Sequence, residues 1–281
     1  MKKSVACGVV TFNPTKDILP KIEEYSCLFD YVYIYDNTIK VFSSVLANKI
    51  SKYENVSLYS NGNNDGLAKA YNYFLNHTKH KYDFLCTLDQ DSKFSKIDIQ
   101  NMFSLLSIDK LNDVAVVGPT VIYNQVSSSK KISNRKILEN KRYLISSGSF
   151  INLKIIRQNP NIKFDENYFI DRVDTDFCTN CLKNGYRICE YKDSFLFQTL
   201  GEATKNGSQH SYIRHYYMFR NRFYFNKKYY TGMKMCLLTS LQSLKQIFRI
   251  VKFENNKFKK IMQIIYGYRD YKAGNMRKGR Y

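Results

Sequence analysis

The chain has 281 residues, 44% hydrophobic and 15% aromatic, enough apolar material for one large domain or a domain with an appendage, which argues against global disorder. Its net charge of +20 is gathered in the last quarter: residues 205–281 hold 18 Lys plus Arg and two acids, Glu254 and Asp270, a net +16. The opening MKKSVACGVVTFNP lacks a signal-peptide cleavage site, and no stretch approaches the roughly 18 consecutive apolar residues of a membrane span; the seven scattered cysteines fit reduced thiols in a cytosol better than a disulfide framework.

Along the first 120 residues short apolar strands alternate with helices. SVACGVVTF predicts a strand, then a helix near 16–28; YVYIYDN a second strand, then a helix near 41–52; NVSLYS a third. The loop NGNNDG leads into LAKAYNYFLNHT, which has helical periodicity, and YDFLCTLD is a fourth strand. After another helix comes VAVVGP, a fifth. This order argues for an α/β fold with a mostly parallel sheet. Ligands in such sheets bind at the carboxyl ends of the strands, where Asn13, Asp36, Asn37, Asp89 and Asp91 fall. Residues 120–150 suggest loops and antiparallel strands ending on ISSGSFI; residues 164–176, FDENYFIDRVDTD, are an acid-rich approach to a helix; YRICEYKD and FLFQTL suggest two more strands. Beyond 205 the chain turns basic and aromatic, with Leu237, Leu241, Leu244, Phe248 and Val251 at helical spacing.

Two acidic clusters carry candidate chemistry. Asp89-Gln90-Asp91 follows an apolar strand. As a bare D-x-D it is most often a solvated turn or helix cap; at a strand end of an α/β half it can hold a hard divalent cation against a diphosphate. Asp174-Thr175-Asp176, with Asp171 just before it, sits where a helix dipole favours acids, and it equally offers a general base for an acceptor hydroxyl. Cys178 and Cys181 have C-x-x-C spacing but no second pair, so two core thiols on a helix are expected rather than zinc. His77 and His80 have no matching partners. No dinucleotide fingerprint, P-loop or nucleophile elbow is present.

The order of motifs resembles glycosyltransferase family 2 enzymes of GT-A fold, in particular the bacterial rhamnosyltransferase-like branch. VVTFNP, YIYDN, NGNNDGLAKAYN, LDQDS, SSGSFI, FIDRVDTDFC with LKNGYRI, and YIRHYYMFRNR with the terminal GYRDYKAGNMRKG carry the resemblance over nearly the whole chain. It implies a Rossmann-like, mostly parallel central sheet flanked by helices over residues 1–204. The nucleotide-binding half would span 1–120 and the acceptor-binding half 121–204, followed by a basic helical extension over 205–281. It further implies that Thr11, Asn13 and Asp36 line the nucleobase and ribose pocket, with Asp65 and Gly66 close to the nucleotide. Asp89 would face ribose or donor sugar, and Asp91 would hold Mg²⁺ or Mn²⁺ on the diphosphate. Asp174 would be the base, with Asp176 beside it and Gly148 on the acceptor side, and Arg214 and Arg220 would contact phosphate. Gln198 stands where the family often has a metal-binding histidine, and an amide oxygen holds Mn²⁺ more weakly than imidazole does.

The implied activity is inverting transfer of a sugar in cell-surface polysaccharide assembly. Rhamnose from dTDP-rhamnose is the first choice of donor, with UDP-activated galactose, glucose or N-acetylglucosamine open. The acceptor would be a saccharide, free or on a polyprenyl diphosphate. The basic tail admits three readings: an anchor on an anionic membrane surface, a nucleic-acid module with Tyr and Phe stacking among the cations, or helices packed on the core. The first is adopted, with no nucleic-acid partner, placing the protein in the cytoplasm at the inner face of the plasma membrane.

Overall fold

The computed structural model describes residues 2–39, 43–108, 111–123, 138–198, 202–204 and 207–279, with the backbone alone over 202–204 and 207–209. A nine-stranded sheet runs in the order β3-β2-β1-β4-β8-β6-β9-β5, with β7 on β9. Its strands are β1 (Val5–Thr11), β2 (Tyr31–Asp36), β3 (Val56–Ser60), β4 (Phe84–Asp89), β5 (Lys93–Phe94), β6 (Val114–Tyr123), β7 (Leu138–Asn140), β8 (Ser149–Asn152) and β9 (Arg187–Gln198). Strands β1, β2, β3 and β4 pair in parallel, as do β6 and β9, while β5, β7 and β8 pair antiparallel with their neighbours.

Every residue of β1 is buried, as a strand covered on both faces requires. The period of two then sorts side chains to opposite layers. Val5, Cys7 and Val9 pack with Ile22 of α1 (Ile18–Leu28), Leu46 of α2 (Ser44–Ile50) and Met102 of α4 (Lys96–Leu106). Ala6 and Val10 face Phe74 of α3 (Leu67–Thr78), Ile155 of α5 (Leu153–Gln158) and Phe177 of α6 (Val173–Lys183). Cys178 and Cys181 are buried on α6, Cys178 within this second layer with its thiol pushed up to about 12 by burial.

The expected strands over 186–193 and 195–200 are one strand, β9, with an irregularity. Pro119 of β6 pairs with Tyr191 and Thr120 with Phe195, so Lys192, Asp193 and Ser194 bulge out. Helix α4 holds the bulge: Phe195 N–H donates to Asp98 Oδ1 at 2.9 Å and Ser194 Oγ to Asp98 O at 3.0 Å. Residues 199–201 lie outside the described residues. The hairpin β10 (Glu202–Thr204) and β11 (Gly207–Gln209) was not anticipated.

The extension forms α7 (Tyr212–Tyr229), α8 (Gly232–Phe253), α9 (Lys257–Ile261) and α10 (Gln263–Lys272). Helix α7 is bonded into the body across residue 204. Asn221 Nδ2 donates to Ile170 O at 2.6 Å and Asp171 O at 2.9 Å, and Tyr224 OH to Asp165 Oδ2 at 2.9 Å. Arg220 has no exposed surface; its guanidinium donates to Asn275 O (3.2 Å), Arg277 O (2.6 Å) and Tyr216 OH (3.2 Å), between the rings of Tyr216 and Tyr217. Replacing Arg220 by Met would leave two carbonyls without their donor. Chemical denaturation of Arg220→Met should show a loss of about 2–4 kcal/mol.

Candidate active site

Side chains at the open ends of β1, β2 and β4 are laced into one floor. Thr11 Oγ1 donates to Asp36 Oδ1 at 2.8 Å, and Asp36 also accepts from Thr38 and Ser60. Asn13, at φ 47°, donates its N–H to Thr38 Oγ1 at 2.8 Å. Asn37 Oδ1 accepts from Asp65 N–H at 3.0 Å, and Asp65 Oδ2 accepts from Tyr35 OH and Asn61 Nδ2, each at 2.7 Å. Lys69 lies 3.0 Å from the other oxygen of Asp65. Gln90, between the two aspartates, exchanges hydrogen bonds of 2.9 and 3.0 Å with the backbone of Phe12, which ties the β4 turn to the end of β1.

The D-x-D turn is fixed from below and from the side. Asp89 N–H donates to Ser147 Oγ at 3.0 Å, and the Ser147 and Ser92 hydroxyls meet at 2.6 Å. Lys21 of α1 donates to Gln90 O at 2.6 Å and Ser92 O at 3.1 Å. Asp89 is held by Tyr71 OH at Oδ1 (3.3 Å) and by Gln198 Nε2 at Oδ2 (3.2 Å), whereas Asp91 is exposed. Burial, then the charge of Asp91, pushes the Asp89 carboxyl up to about 6 against these two donors, and Asp174 adds to the rise.

Asp174 reaches this floor from α6 by way of a strained turn. Asp171 and Arg172 take φ of 59° and 68°, left-handed values that cost non-glycine residues free energy. Asn221 holds the carbonyls of Ile170 and Asp171 from α7, and the Arg172 guanidinium lies 4.8 Å from the centre of the Phe225 ring. Asp174 Oδ1 accepts from Thr175 N–H at 2.8 Å. Burial, followed by the charge of Asp171, raises the Asp174 carboxyl, and burial likewise raises Asp171. A carboxylate raised in this way is a stronger base than an ordinary aspartate.

Four buried polar atoms around these acids have no hydrogen-bond partner among the described residues: Gln198 Oε1, Asp171 Oδ2, Arg214 Nε and His210 Nδ1. Arg214 Nη2 lies 3.5 Å from Asp171 Oδ1, and burial with the charge of Arg214 lowers His210 to about 4. The oxygen set of Asp89, Asp91 and the orphaned Gln198 Oε1 suits a hard divalent cation carrying phosphate. No cluster of three His, Cys, Asp or Glu able to hold an ion unaided occurs among the described residues.

The signature of glycosyl transferase family 2 matches residues 22–248. The chain belongs to that family. It is a glycosyltransferase, and its sheet with helices on both faces is the GT-A arrangement. It is 25% identical over 305 residues to a dTDP-rhamnosyl transferase, RfbF, of Shigella flexneri, covering 100% of this chain and 99% of that one. Among solved structures it resembles S. aureus TarS residues 1–349, with TM-score 0.61, 12% identity, and coverage of 95% of this chain and 80% of the other. It also resembles GalNAc-T7 solved with UDP, GalNAc and Mn²⁺, with TM-score 0.59, 10% identity, and coverage of 98% and 55%.

Several site residues of this glycosyltransferase sit differently from expectation. Asp36 is fully buried with its oxygens engaged by Thr11, Thr38 and Ser60, so it stands in the pocket floor together with Thr11. Gly66, at φ 85°, makes room for protein rather than nucleotide, because a Cβ there would stand 2.6 Å from Phe169 O. Gly148, at φ 79°, is wrapped by Leu196 and Pro119, which removes it from the acceptor surface. Asp176, expected as support beside Asp174, is buried, and its carboxylate binds Lys228 Nζ (2.9 Å to each oxygen) and Tyr168 OH. Arg220 is removed from phosphate by its bonds to the chain end. Tyr71, Gln90, Ser147, Lys21 and His210 were not singled out. Only Gln90, inside the D-x-D, had a local signal.

The raised Asp89 sets a sign for pH. Its folded value near 6 exceeds the ordinary 3.8, so the folded state is favoured when Asp89 is protonated and loses that advantage as pH rises through 6. Asp89→Asn should therefore raise the unfolding midpoint at pH 8, with the gain shrinking as pH falls towards 4. Thermal unfolding across that range checks it.

Proposed function

We propose that the protein moves a sugar from a nucleoside diphosphate sugar to an acceptor hydroxyl with inversion, and that the donor is dTDP-rhamnose. The observation that carries the reaction is Asp174: one carboxylate with a raised pKa, in the first turn of α6 directly after a strained and clamped turn, within electrostatic reach of Asp89. The full-length likeness to a dTDP-rhamnosyl transferase supports the choice of sugar. The acceptor is a saccharide, free or carried on a polyprenyl diphosphate, in the assembly of a cell-surface polysaccharide.

In this reading the nucleoside lies over the floor formed by Thr11, Phe12, Asn13 and Gln90, with Asp65 bordering it. Asp91 and Gln198 Oε1 hold Mg²⁺ or Mn²⁺, and the bound ion supplies charge neutralisation on the leaving diphosphate. Asp89, steadied by Tyr71 and Gln198, orients the donor sugar. Arg214 and His210 offer their unpartnered nitrogens to the donor. Tyr123 and Tyr143, 36% and 54% exposed, give apolar faces for an acceptor ring; burial, with the charge of Asp174 adding to it, raises the Tyr123 phenol. Asp174 takes the proton of the acceptor hydroxyl as its oxygen attacks the anomeric carbon from the face opposite the diphosphate. The C–O bond to the diphosphate breaks as the new glycosidic bond forms.

Asp174→Asn should lower turnover about 10²–10⁴-fold while leaving nucleotide affinity intact, since only the proton acceptor is lost. Near-normal turnover would remove Asp174 from the role of base. A thermal-shift comparison of dTDP-rhamnose with UDP-sugars, with and without Mn²⁺, tests the donor. The account expects the largest stabilisation from dTDP-rhamnose, because a ligand that binds only the folded state raises its melting temperature.

A further inference from the structure

Helix α8 is amphipathic in the inverted sense. Its inner face is polar: Thr239 and Gln242 bond Asn226, Ser243 and Gln246 bond Arg222, and Gln246 also bonds His215 Nδ1 at 2.8 Å. Gln242 reaches Arg172, in the turn before Asp174, at 3.5 Å. Of its 22 residues only Gln246 and Ile250 are buried. The apolar side chains face outward instead. Met233, Leu237, Leu241, Leu244, Phe248 and Val251 are 85%, 58%, 54%, 61%, 62% and 47% exposed. At 3.6 residues per turn these six fall within an arc of about 80°. This excludes core packing as the purpose of the stripe, since the helix is fastened by its opposite face.

The borders of the stripe say what covers it. Lys234, Lys245 and Lys252 lie along one edge with Arg249, whose Nε is 3.9 Å from Glu254 at the helix end, and within its own span α8 contains no Asp or Glu. The spacing of the stripe would also suit a helix pairing with a second copy. A two-fold contact, however, would bring these lysines towards their own copies, and the acid at the helix end, Glu254, is buried and taken by His215 and Lys260. An anionic lipid surface satisfies both features at once: the leucines and Phe248 enter the acyl boundary while the cations meet headgroup phosphates. Lys252 already lies over the rings of Phe248 and Phe253, at 5.6 and 5.1 Å. Phe258, 79% exposed just beyond in α9, and Lys257 and Lys259 continue the same chemistry. Among the described residues no helix is long and apolar enough to cross a membrane.

We infer that the outer face of α8 is a docking surface for an anionic membrane, on which the helix lies in the plane of the interface. Docking there holds the Asp171–Asp174 turn one helix away from the lipid, because α8 packs on α7 and α7 clamps that turn.

The test is cosedimentation of the full chain with phosphatidylcholine vesicles, with and without phosphatidylglycerol. The protein should pellet with the anionic vesicles and stay in solution with the neutral ones. Leu241→Ser/Leu244→Ser and Lys245→Gln/Lys252→Gln should each reduce partition at least about tenfold. Their unfolding midpoints should be unchanged, since all four side chains are exposed. No vesicle binding, or equal partition onto neutral vesicles, overturns the inference. So does a wild-type dimer in sedimentation velocity that the leucine variants convert to monomers, or salt-sensitive binding of single-stranded RNA without vesicle binding. Partition is read independently of sugar transfer, so its failure and a failure of the proposed reaction are separable.

Discussion

Carboxylates that share a small, partly buried space repel one another, and this site is arranged around that repulsion. Asp89, Asp91 and Asp174 meet at the open end of the sheet, with Asp171 behind, and burial raises three of the four because their charge is poorly solvated. Tyr71 and Gln198 relieve Asp89 only in part, and its carboxyl remains near 6. The fold tolerates this unfavourable electrostatics where it could have placed neutral side chains. In the proposed reaction a cation and a polar donor reverse the sign of the problem: what costs stability in the free protein becomes attraction in the loaded one.

The rest of the architecture keeps that arrangement from relaxing. Parallel strands deliver Asp36 and Asp89 to one end of the sheet, while β8 and its SSGS turn place Ser147 under the Asp89 amide. The left-handed pair Asp171–Arg172 would not persist alone. Asn221 holds its carbonyls, and Arg214 and Phe225 flank its side chains, all from α7. The C-terminal region is therefore part of the catalytic body. Glu254, buried at the end of α8, accepts from His215 Nε2 at 2.9 Å and pairs with Lys260 at 2.7 Å, so α7, α8 and α9 form one unit. A surface on the outer face of α8 is in this way mechanically continuous with the turn that leads to Asp174.

What the sequence disclosed follows from which forces are local. Strands β1, β2, β4 and β6 were legible because buried strands are short apolar runs, β3 because Val56 and Leu58 alternate with polar residues at the sheet edge, and helices between them keep a period of 3.6. Strand β9 read as two because Lys192-Asp193-Ser194 interrupt the apolar run, whereas the partner that absorbs the bulge, Asp98, is 97 residues from Phe195. The D-x-D and D-x-D-like clusters announced themselves by spacing, but spacing does not tell which acid of a pair is engaged by the protein. Asp174 and Asp176 differ in that Lys228, 52 residues further on, takes only the second. Gly66 was recognised as a close-approach position, with the wrong neighbour, since Phe169 is brought there by the long-range fold. Arg220 sits in a helix rich in Arg, and nothing local separates a buried strut from a phosphate ligand. The stripe on α8 was visible as a period, but only the structure reveals that it faces outward.

The central claim is that the crowded carboxylates await the charge of a metal-bound donor. Calorimetry of nucleotide-sugar binding in the presence of Mg²⁺, repeated in buffers of different ionisation enthalpy, tests it directly. A nucleoside diphosphate sugar has no group of its own that titrates near pH 6, so proton release reports the protein. With Asp89 near 6, binding at pH 6 should release about half a proton from it, that release should fade by pH 8, and Asp89→Asn should reduce it. Binding with no proton release at pH 6 would contradict the account.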